Sequence, residues 1–500
     1  MSDEVDIVII GSGMGGATIA ASLAGSGRRI VILERGDRLS DTKEARDDIA
    51  IFRDGYFRPE ETWIDGEGKS FNPGNYYNVG GNTKFYGSVL LRYRERDFEK
   101  VAHLGGTSPA WPITYDALEP WYQRAEELFD VSGDETQDPT EPRHSGQYPN
   151  SPIEDEPSIR ELRERLTKAG VSPSSLPLSV DVKSWLARGN TPWDAFPDTT
   201  GAKGDAETIP LAKALSSENV TLEVNCHVDR LLTDGNGDIS EVRYTQGGAP
   251  KSIKPKLVIL AAGAINSAVL LLRSANEAHP RGLANSSDMV GRNFMNHNCT
   301  AVLALHPFRK NSSVYQKTLQ FNDFYFTGGP QNMPLGNVQL LGKISGSILS
   351  AQSGLPKALA SYVANHSVDW YVMSEDLPNR DSRVTIEKDQ IRLEWKRSNW
   401  QCHQALVKRA KQVFKQSGFP LVLSRAFDRR TPSHQCGTLK FGADPKDSVL
   451  DLYCRAHDHA NLFVVDASFL PTSAAVNPAL TIAAQALRVG DYIQETTKAL

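Results

Sequence analysis

The sequence predicts an α/β fold, in which a Rossmann-like, doubly wound domain is joined to a second domain built on an antiparallel sheet. An apolar strand, a glycine-rich turn, an alanine-rich helix and a second apolar strand follow one another within residues 5–34. This order is the first unit of a doubly wound parallel sheet. Residues 257–274 and 461–493 again combine a buried strand with a helix, whereas residues 300–430 consist mainly of alternating, strand-like pieces.

The composition indicates an ordinary globular protein. The chain has 500 residues, of which 40% are hydrophobic, and a formal net charge of −5. A chain of this length exceeds one simple core, so two closely joined domains are expected. The mildly acidic balance gives no concentrated basic face, and we therefore expect no nucleic-acid partner.

The sequence contains no segment that is typical of membrane insertion or of export from the cell. No apolar run reaches the roughly 20 residues that span a bilayer. The N-terminus, MSDEVDIVIIGSG, has neither the basic region nor the cleavage site of a signal peptide. The odd number of cysteines, five, includes no CxxC pair. We therefore expect a reduced, cytoplasmic protein without a membrane partner.

The first glycine-rich turn follows a strand directly. Gly11, Gly13 and Gly16 form a GxGxxG motif, in which the first glycine permits a tight turn, the second lets the backbone approach a pyrophosphate, and the third allows close packing. The N-terminus of the following helix then faces the anion with free N–H groups. Glu34 ends the second strand, where an acid accepts hydrogen bonds from the adenosine ribose. These features predict a bound dinucleotide without distinguishing FAD from NAD.

The remaining elements are predicted in chain order from periodicity and turn residues. They are a helix with an internal proline at 115–129, a Gly- and Pro-rich excursion at 131–157, a hairpin-like pair at 221–234 and 241–245, a strand and helix at 257–274, strands at 299–308 and 384–395, a helix at 401–418, and a strand and closing helix at 461–471 and 478–493. Because the segments typical of nucleotide binding are scattered, that domain must be discontinuous in sequence.

Four further segments resemble the glucose–methanol–choline (GMC) oxidoreductase family. They are NVGGNTKFYGSVLLRYRERDF (78–98), GAINSAVLLL (263–272), VGRNFMNH (290–297), and HQCGT (434–438) together with NLFVVDASFLPTSAAVNPALT (461–481). The resemblance implies the GMC fold, with FAD as cofactor and oxidation of an alcohol as the activity. It covers the chain except for the details of the middle domain.

The resemblance also implies how the two domains divide the chain. The FAD-binding domain is expected to comprise residues 1–40, 75–130, 205–300 and 435–500. The substrate-binding domain, with its antiparallel sheet, is expected to comprise residues 41–74, 150–204 and 301–434.

The first of these segments is expected to lie along the flavin. Gly80 and Gly81 let the backbone come close to the diphosphate and the flavin edge, although a structural glycine turn is the alternative. By position, the flavin-contacting loop continues with Thr83, Tyr86 and Gly87. Where pyranose oxidases carry a histidine that is covalently bonded to the flavin, this chain has Phe85, so FAD is expected to bind non-covalently.

The other cofactor contacts are implied by position in the family. They are Val228, whose backbone would contact adenine, Ala262 and Gly263, which leave room for the dinucleotide, Asp466 and Ala467 beside the ribityl and phosphate region, and Ala479, whose N–H would point at flavin O2. Each also has a structural alternative, namely an ordinary strand residue, close helix packing or a solvated carboxylate at a strand end. A helix N-terminus at Ala479 would stabilise negative charge on the reduced flavin.

His434 is the predicted catalytic base. Alcohol oxidation removes a proton from O–H and a hydride from C–H, and histidine is neutral near pH 7, as the proton acceptor must be. Asn477 follows 43 residues later, at a place that is His in glucose oxidase-like members and Asn-Pro in pyranose oxidase- and cholesterol oxidase-like members. Its amide would hold the alkoxide-like transition state. The alternative is that Asn477 caps the last helix, with Pro478 in the first helical position.

Three other features receive structural interpretations. Cys454, His457 and His459 lack a fourth ligand with recognisable spacing, so we expect a polar turn and no metal. Residues 92–100 mix charges of both signs and are interpreted as a solvated face. Cys436, inside HQCGT, is interpreted as a small buried residue.

The substrate-binding domain is expected to cover the flavin and to choose the substrate. Four aromatic residues could stack on sugar faces, although aromatic residues more often belong to the core: Trp370, Tyr371, Trp395 and Trp400. We favour a secondary hydroxyl of a sugar or glycoside, because the His434 and Asn477 segments most resemble the pyranose oxidase and sugar 3-dehydrogenase branch. A hydrophobic sterol or aryl alcohol is the alternative. A roof lined with Asn, Gln, Asp and Trp would favour sugar, and an aliphatic roof the alternative.

Two other classes of protein remain open. An NAD-dependent dehydrogenase without flavin would be colourless, whereas a flavoprotein is yellow. A flavin-holding protein without catalysis would keep its function after loss of His434 or Asn477. The electron acceptor, oxygen or another molecule, is left open by the sequence.

Overall fold

The computed structural model describes residues 4–187, 189, 195–431 and 434–497. The predicted domain ranges and the N-terminal stretch thus include residues outside this description, namely 1–3, 188, 190–194, 432–433 and 498–500. The helices are α1 (Met14–Leu23), α2 (Tyr115–Leu128), α3 (Pro157–Lys168), α4 (Val182–Ala187), α5 (Ala212–Leu215), α6 (Ala264–Arg273), α7 (Gly346–Ser353), α8 (Lys357–His366), α9 (Trp400–Gln416) and α10 (Ala479–Thr496).

The strands are mostly short and belong to four sheets. They are β1 (Glu4–Ile10), β2 (Ile30–Leu33), β3 (Trp63–Asp65), β4 (Ser70–Phe71), β5 (Val101–His103), β6 (Gly106–Ser108), β7 (Pro173–Ser175), β8 (Val220–Glu223), β9 (Cys226–Thr233), β10 (Ile239–Gln246), β11 (Ala249–Leu260), β12 (Asn298–Leu305), β13 (Leu319–Phe321), β14 (Asn337–Leu340), β15 (Ser367–Ser374), β16 (Arg383–Glu387), β17 (Gln390–Glu394), β18 (Leu421–Ala426) and β19 (Leu462–Val464).

The first sheet confirms the predicted parallel, doubly wound core. Its order is β8-β2-β1-β11-β10-β9, and β19 also pairs with β11. Strands β8, β2, β1 and β19 and the second half of β11 are parallel, so their carboxyl ends meet at one edge. Ligands bind at this edge in open α/β sheets. The first half of β11 runs antiparallel to β10 and extends the sheet into a hairpin.

One of the predicted strands is divided into two in the structure. The apolar run at 221–234 was expected to form one arm of a hairpin, but β8 joins the parallel sheet and β9 forms the hairpin with β10. The break falls at Asn225, whose φ of 57° interrupts the extended backbone.

The second sheet confirms the predicted antiparallel architecture. Its order is β18-β12-β15-β14-β13-β7, and every neighbouring pair is antiparallel. One face packs against α3 and α9 through a buried apolar cluster that includes Phe321, Trp370 and Phe414. Because side chains alternate along a strand, the opposite face carries Gln320 and Gln339, which lie directly across from each other on β13 and β14.

The segment 384–395 forms a hairpin outside that sheet. The chain reverses at Lys388 and Asp389, which both have positive φ, and the two arms, β16 and β17, join β3 and β4 in a separate four-stranded sheet. Its apolar side packs on Ile265 and Val269 of α6. The hairpin therefore packs against α6, the helix that follows β11.

The interpretation of residues 92–100 as a solvated face is wrong for part of the segment. Glu95, Arg96, Glu99 and Lys100 are exposed, but Arg92 and Arg94 are buried. Arg92 is fully buried and bonds to Glu119 at 3.0 Å and to Glu126 at 2.6 Å, both on α2. Arg94 is also buried and bonds to Asp138 at 2.7 Å. The acids that neutralise these arginines come from distant parts of the chain, which is why the local charge pattern was misleading. Buried charges of this kind need such partners.

Within the described residues, no helix has both the length and the apolar character needed to cross a membrane. All five cysteines are buried and none forms a disulfide.

Candidate active site

The three glycines of the first turn play different structural parts. At Gly11, with φ of 101°, a side-chain Cβ would lie 2.4 Å from the carbonyl oxygen of Ala261. At Gly16, a Cβ would lie 2.0 Å from the carbonyl oxygen of Gly11, so this glycine permits close packing of helix against strand. At Gly13, the N-cap residue of α1, which has no side-chain cap, a Cβ would meet no atom within 4 Å. The open space therefore lies where a pyrophosphate would need it.

Glu34 holds two glycine-rich loops together. Its Oε2 accepts hydrogen bonds from the backbone N and the Oγ of Ser12, at 2.9 and 2.7 Å. The same Oγ accepts from the N–H of Gly80 at 3.1 Å. A Cβ on Gly81 would come within 3.5 Å of the Cα of Gly13. Burial raises the pKa of Glu34 above its ordinary value.

The loop after Gly81 is fixed by contacts that differ from residue to residue. Thr83 donates to the Gly80 carbonyl at 2.6 Å, and Tyr86 donates to the carbonyl of Gly204 at 2.6 Å. Gly87, next to Tyr86, is partly exposed. Phe85 stacks on Tyr76 with ring centroids 3.7 Å apart.

Sequence reasoning missed a buried cation in this loop. Lys84 is completely buried and forms ion pairs of 2.9 Å with Asp205 and Glu207. A lone lysine between two predicted cofactor contacts gave no signal of its own, since its partners lie more than a hundred residues away in sequence.

Asp466 joins the end of β19 to the start of α6. One carboxylate oxygen accepts from the N–H of Gly263 at 3.0 Å and from the hydroxyl of Ser267, and the other accepts from the N–H of Ser468 at 2.9 Å. The side chain is buried, so the alternative of a solvated carboxylate at the strand end does not hold. The next residue, Ala467, is partly exposed and its carbonyl accepts from the N–H of Gly437.

A second open helix N-terminus lies beside this carboxylate. Gly263 precedes α6 with φ of 87° and no side-chain cap, and a Cβ there would meet no atom within 4 Å. The neighbouring Ala262 donates its N–H to the Oγ of Ser267. Val228 is partly exposed on β9, two residues beyond Cys226, whose N–H bonds to the Glu34 carbonyl at 2.8 Å. The glycines, the uncapped helix ends and Glu34 thus fit a dinucleotide along the carboxyl edge of the sheet.

The structure brings His434 and Asn477 together. The Nε2 of His434 lies 3.4 Å from the amide nitrogen Nδ2 of Asn477. Both side chains keep a partly exposed surface in an otherwise buried neighbourhood. His434 adopts a left-handed backbone conformation, with φ of 66°.

His297 lies on the other side of the His434 ring, and sequence reasoning assigned it no role. Its Nδ1 is 2.9 Å from the Nδ1 of His434. Its Nε2 is 2.8 and 2.9 Å from the carbonyl oxygens of Ser473 and Ala474. Since a carbonyl can only accept, Nε2 of His297 must carry a proton. A signal was present, because His297 ends the VGRNFMNH segment.

This arrangement sets the protonation of His434. With Nε2 of neutral His297 protonated, its Nδ1 has a lone pair, and Nδ1 of His434 must donate to it. The Nε2 of neutral His434 therefore keeps a lone pair on the side of Asn477. Desolvation lowers the pKa of His434 well below its usual value, and the nearby His297 and Lys317 lower that pKa further.

Asn477 does not cap the last helix. The capping residue of α10 is Pro478, without a side-chain cap, and the helix begins at Ala479. Instead, the Oδ1 of Asn477 accepts from the Nε2 of Gln339 at 2.9 Å. This bond turns the Nδ2 of Asn477 toward His434. Ala479 is partly exposed and is the first residue of α10.

The four aromatic residues considered for sugar stacking all have partners within the protein, and that of Tyr371 is Phe427, at 5.8 Å between ring centroids. Trp370 is in the apolar core and stacks on Phe414, at 4.6 Å between centroids. Trp395 donates to Asp376, and Trp400 lies under the guanidinium of Arg397. Tyr371 lies on the same face of the sheet as Gln339, directly opposite it on β15.

Three residues of the segment CRAHDH resemble metal ligands, and each of them has a different partner. Cys454 accepts from the amide of Gln485, His457 bonds to Ser448, and His459 bridges the Gly237 carbonyl and the Ala284 N–H. In the described part of the chain, no group of three His, Cys, Asp or Glu side chains could hold a metal ion. Cys436 is buried, which raises the pKa of its thiol.

Two family models match the chain. Residues 6–283 match the FAD dependent oxidoreductase family, and residues 378–486 match the family described as GMC oxidoreductase.

Curated relatives cover the chain over nearly its whole length. The 6'''-hydroxyparomomycin C oxidase of Streptomyces lividus is 28% identical over 98% of this chain and 91% of its own. The 2-methyl-1,2-propanediol dehydrogenase of Mycolicibacterium austroafricanum is 28% identical over 98% and 95%. The fructose dehydrogenase large subunit of Gluconobacter japonicus is 27% identical and covers 100% of both chains.

A solved structure shares the fold. Pyridoxine 4-oxidase from Mesorbium loti superposes with a TM-score of 0.68 over 98% of this chain and 99% of its own, at 17% sequence identity.

Proposed function

This chain belongs to the FAD-dependent oxidoreductases of the GMC family, which act on CH–OH groups, and on that premise we propose that it oxidises a secondary hydroxyl of a sugar or glycoside. The observation that carries the proposal is the 3.4 Å approach of the His434 Nε2 lone pair to the Asn477 amide. A base and a hydrogen-bond donor that converge on one point suit a hydroxyl, which donates its proton and accepts at its oxygen.

The residues near the dinucleotide edge would hold FAD. The contacts proposed are the glycines 11, 13, 16, 80, 81, 87 and 263, together with Glu34, Thr83, Tyr86, Val228, Ala262, Asp466, Ala467 and Ala479. When bound, FAD supplies a two-electron acceptor that takes a hydride from the alcohol carbon. The open space at Gly13 and Gly263 is the structural support for this assignment.

His434 and Asn477 divide the remaining work. The substrate hydroxyl donates its proton to the Nε2 of His434, and its oxygen accepts from the Nδ2 of Asn477. As the proton leaves, negative charge grows on that oxygen and the Asn477 donor stabilises it. His297 accepts a hydrogen bond from the Nδ1 of His434 throughout, which holds the ring in place while it gains the proton.

Non-covalent attachment of FAD is part of the proposal. Phe85 has no nucleophilic atom, and its ring is packed against Tyr76. If the cofactor is free of covalent bonds, acid precipitation of the yellow protein will leave the colour in the supernatant. Colour that stays with the precipitate would contradict this part of the proposal.

The polar roof supports a sugar more than a hydrophobic alcohol. Gln320, Asn337 and Gln339 are buried on the sheet face that reaches Asn477. Among the described residues, the Nε2 of Gln320 and the Oε1 of Gln339 find no hydrogen-bond partner. Such buried polar atoms are costly unless a ligand satisfies them. A polyol offers the hydroxyls to do so, whereas a sterol or aryl alcohol has a single hydroxyl that the base already engages.

The test is anaerobic reduction of the bound flavin, which does not depend on the electron acceptor. The purified protein is mixed with sugars, glycosides, sterols, aryl alcohols and small aliphatic diols, and bleaching of the flavin band is followed. We expect bleaching with a sugar or glycoside. Bleaching by sterols or aryl alcohols alone would support the alternative substrate class, and a colourless protein would point to NAD.

The His434→Gln variant tests the base. We expect the rate constant of flavin reduction to fall by about 10²–10⁴-fold, as for loss of a general base, while the flavin spectrum and the Kd for FAD stay close to those of the wild type. An unchanged reduction rate would show that His434 is not the base. If the wild-type protein binds flavin and none of the alcohols reduces that flavin, the protein holds flavin without catalysis.

A further inference from the structure

Three side-chain amides connect Asn477 to a buried ion pair. Gln339 donates to Asn477 at 2.9 Å and also to the Oδ1 of Asn337 at 2.8 Å. Asn337 donates to the Oδ1 of Asn322 at 2.8 Å. Asn322 donates to the Oδ2 of Asp138 at 2.5 Å, and the same oxygen accepts from Arg94 at 2.7 Å.

The direction of every bond in this row follows from its last member. The carboxylate of Asp138, paired with Arg94, can only accept, so Asn322 must present its NH2 group there and its oxygen to Asn337. Asn337 must then present its NH2 group to Asn322 and its oxygen to Gln339. The NH2 group of Gln339 is thereby used for both of its bonds, and the neighbouring Asn477 must offer its oxygen.

The opposite end of the site is fixed in the same way. The carbonyl oxygens of Ser473 and Ala474 require the Nε2 of His297 to be protonated, which leaves a lone pair on the Nε2 of His434. A lone pair and an NH2 group therefore face each other across 3.4 Å. If the amide of Asn477 were turned by 180°, its oxygen would face the lone pair and the hydroxyl would lose its donor.

We propose that Asn322, Asn337 and Gln339 form an amide relay, which carries the polarity of the Asp138 carboxylate to Asn477 and so decides which atom of that amide faces the base. The three are positioning residues, and the inference rests on the proposed function for its consequence in catalysis. All three are buried. Asn337 and Gln339 lie on β14, Asn322 directly follows β13, and the relay ends at Asn477, shortly before the last helix.

Gln339→Glu reverses the final step of the relay. The carboxylate has nearly the same shape and keeps an oxygen in place of the unpartnered Oε1, but it cannot donate, so the Nδ2 of Asn477 must turn toward it. We expect the rate constant of flavin reduction at saturating sugar to fall by about 10²–10³-fold, as when one donor to a developing oxyanion is lost.

Gln320→Glu is the matched control. Gln320 lies directly opposite Gln339, and its oxygen accepts from the Nδ2 of Asn337 at 3.0 Å. A glutamate there keeps that acceptor and loses only an NH2 group without a partner in the described structure. The same charge is thus introduced one strand away with the relay direction intact. Because Gln320 also lines the proposed substrate roof, the two glutamate variants are compared without substrate, through the nitrogen signal of His434.

The second readout is the hydrogen bond that the Nε2 of His434 accepts, measured without substrate. In ¹⁵N-histidine-labelled holoenzyme at pH 7, with His434 assigned from the His434→Gln spectrum, the Nε2 resonance should be that of an unprotonated nitrogen in the wild type and in both glutamate variants. In Gln339→Glu this resonance should move downfield relative to the wild type, because Asn477 then turns its oxygen toward the lone pair and no longer donates to it. A variant with a general packing defect would not show this change at one nitrogen.

An Nε2 resonance that is unshifted in Gln339→Glu, or that shifts equally in the two glutamate variants, would overturn the relay. If Gln339→Glu does not fold, Gln339→Met replaces it: the donor is lost without a buried charge, and we expect a loss on the order of tenfold, with an unchanged rate contradicting the relay. If no alcohol reduces the wild-type flavin, the proposed function fails while the nitrogen signal still decides the relay.

Discussion

The backbone at His434 is unusual for its residue type. A φ of 66° lies in the left-handed region, a backbone conformation that residues other than glycine rarely adopt. Such conformations persist where the surroundings enforce them, and they concentrate at functional sites. Here the turn places the imidazole ring between His297 and Asn477. The conformation therefore positions both ring nitrogens at once.

The pH dependence of flavin reduction should report this environment. Desolvation, His297 and Lys317 all lower the pKa of His434 well below 6.5. A base acts when it is unprotonated, so a lowered pKa moves the acidic loss of activity to lower pH. We expect the rate constant of flavin reduction to stay level between pH 6 and 8. A half-maximal rate at or above pH 6.5, absent from His434→Gln, would contradict this environment.

Sequence patterns were sufficient to find His434 and Asn477, because both lie in segments with a recognisable order of residues. They were not sufficient for His297, whose protonation depends on carbonyl groups 176 and 177 residues away. Gln339 was beyond reach for a similar reason. Its strand, NVQL, is buried along its whole length, so no alternation of exposed and buried positions pointed to a polar face.

At the scale of elements, two glycines at the start of α1 are expected to serve different purposes: Gly16 is needed for folding and Gly13 for cofactor binding. Gly16→Ala brings a Cβ to 2.0 Å from the carbonyl of Gly11, and we expect overpacking to cost about 1–3 kcal/mol in the free energy of unfolding. Gly13→Ala meets no protein atom within 4 Å. We expect its apoprotein to be as stable as the wild type and its Kd for FAD to rise at least about tenfold, since it obstructs the approach to the helix N-terminus.

Urea unfolding of the apoproteins and flavin titrations provide the measurements. Equal stability of the two variants would show that the helix can move away from β1. Unaltered FAD affinity of Gly13→Ala would place the diphosphate elsewhere.

The elements that the sequence predicted well are those with local signals. The unit at residues 5–34 was recognised from its glycines and its two apolar strands, and the structure reproduces it as β1, α1 and β2. The segment 92–100 was misjudged because its acidic partners, Glu126 and Asp138, belong to other elements. The hairpin of β16 and β17 was assigned to the wrong sheet, since strand pairing is decided by tertiary contacts that periodicity does not contain.

At the scale of the whole molecule, buried acids tie stability to pH. Desolvation raises the pKa of Asp97 to about 7, and the nearby charge of Glu375 contributes. Because the folded pKa exceeds the unfolded value, the folded state retains a proton that the unfolded state has lost. The contribution of Asp97 to the free energy of unfolding is thus complete below the unfolded pKa of 3.8, and it is lost as the pH rises toward 7.

Asp97→Asn removes that titration. Relative to the variant, the wild type should lose about 2 kcal/mol in the free energy of unfolding between pH 5 and 7, with little further change from pH 8 to 9. Urea unfolding of both proteins at these pH values measures the difference. Parallel pH dependences would show that Asp97 ionises normally.

The fold class as a whole was predictable because a GxGxxG turn after a strand specifies the parallel sheet, and the alternating stretch at 300–430 specifies the antiparallel one. The way they meet was not. One link between the two parts of the molecule is the hydrogen bond from Gln339 on β14 to Asn477 before α10, and sequence reasoning treated these two segments separately.

The pairing of β11 with β19 has a consequence for biosynthesis. β1 and β19, from opposite ends of the chain, flank the same strand, and α10 packs so tightly on α1 that a Cβ on Gly490 would lie 2.4 Å from the Oγ of Ser22. N-terminal segments normally fold first during translation. Here the layer around β1 and α1 stays incomplete until β19 and α10 have left the ribosome, and its apolar surface stays uncovered until then.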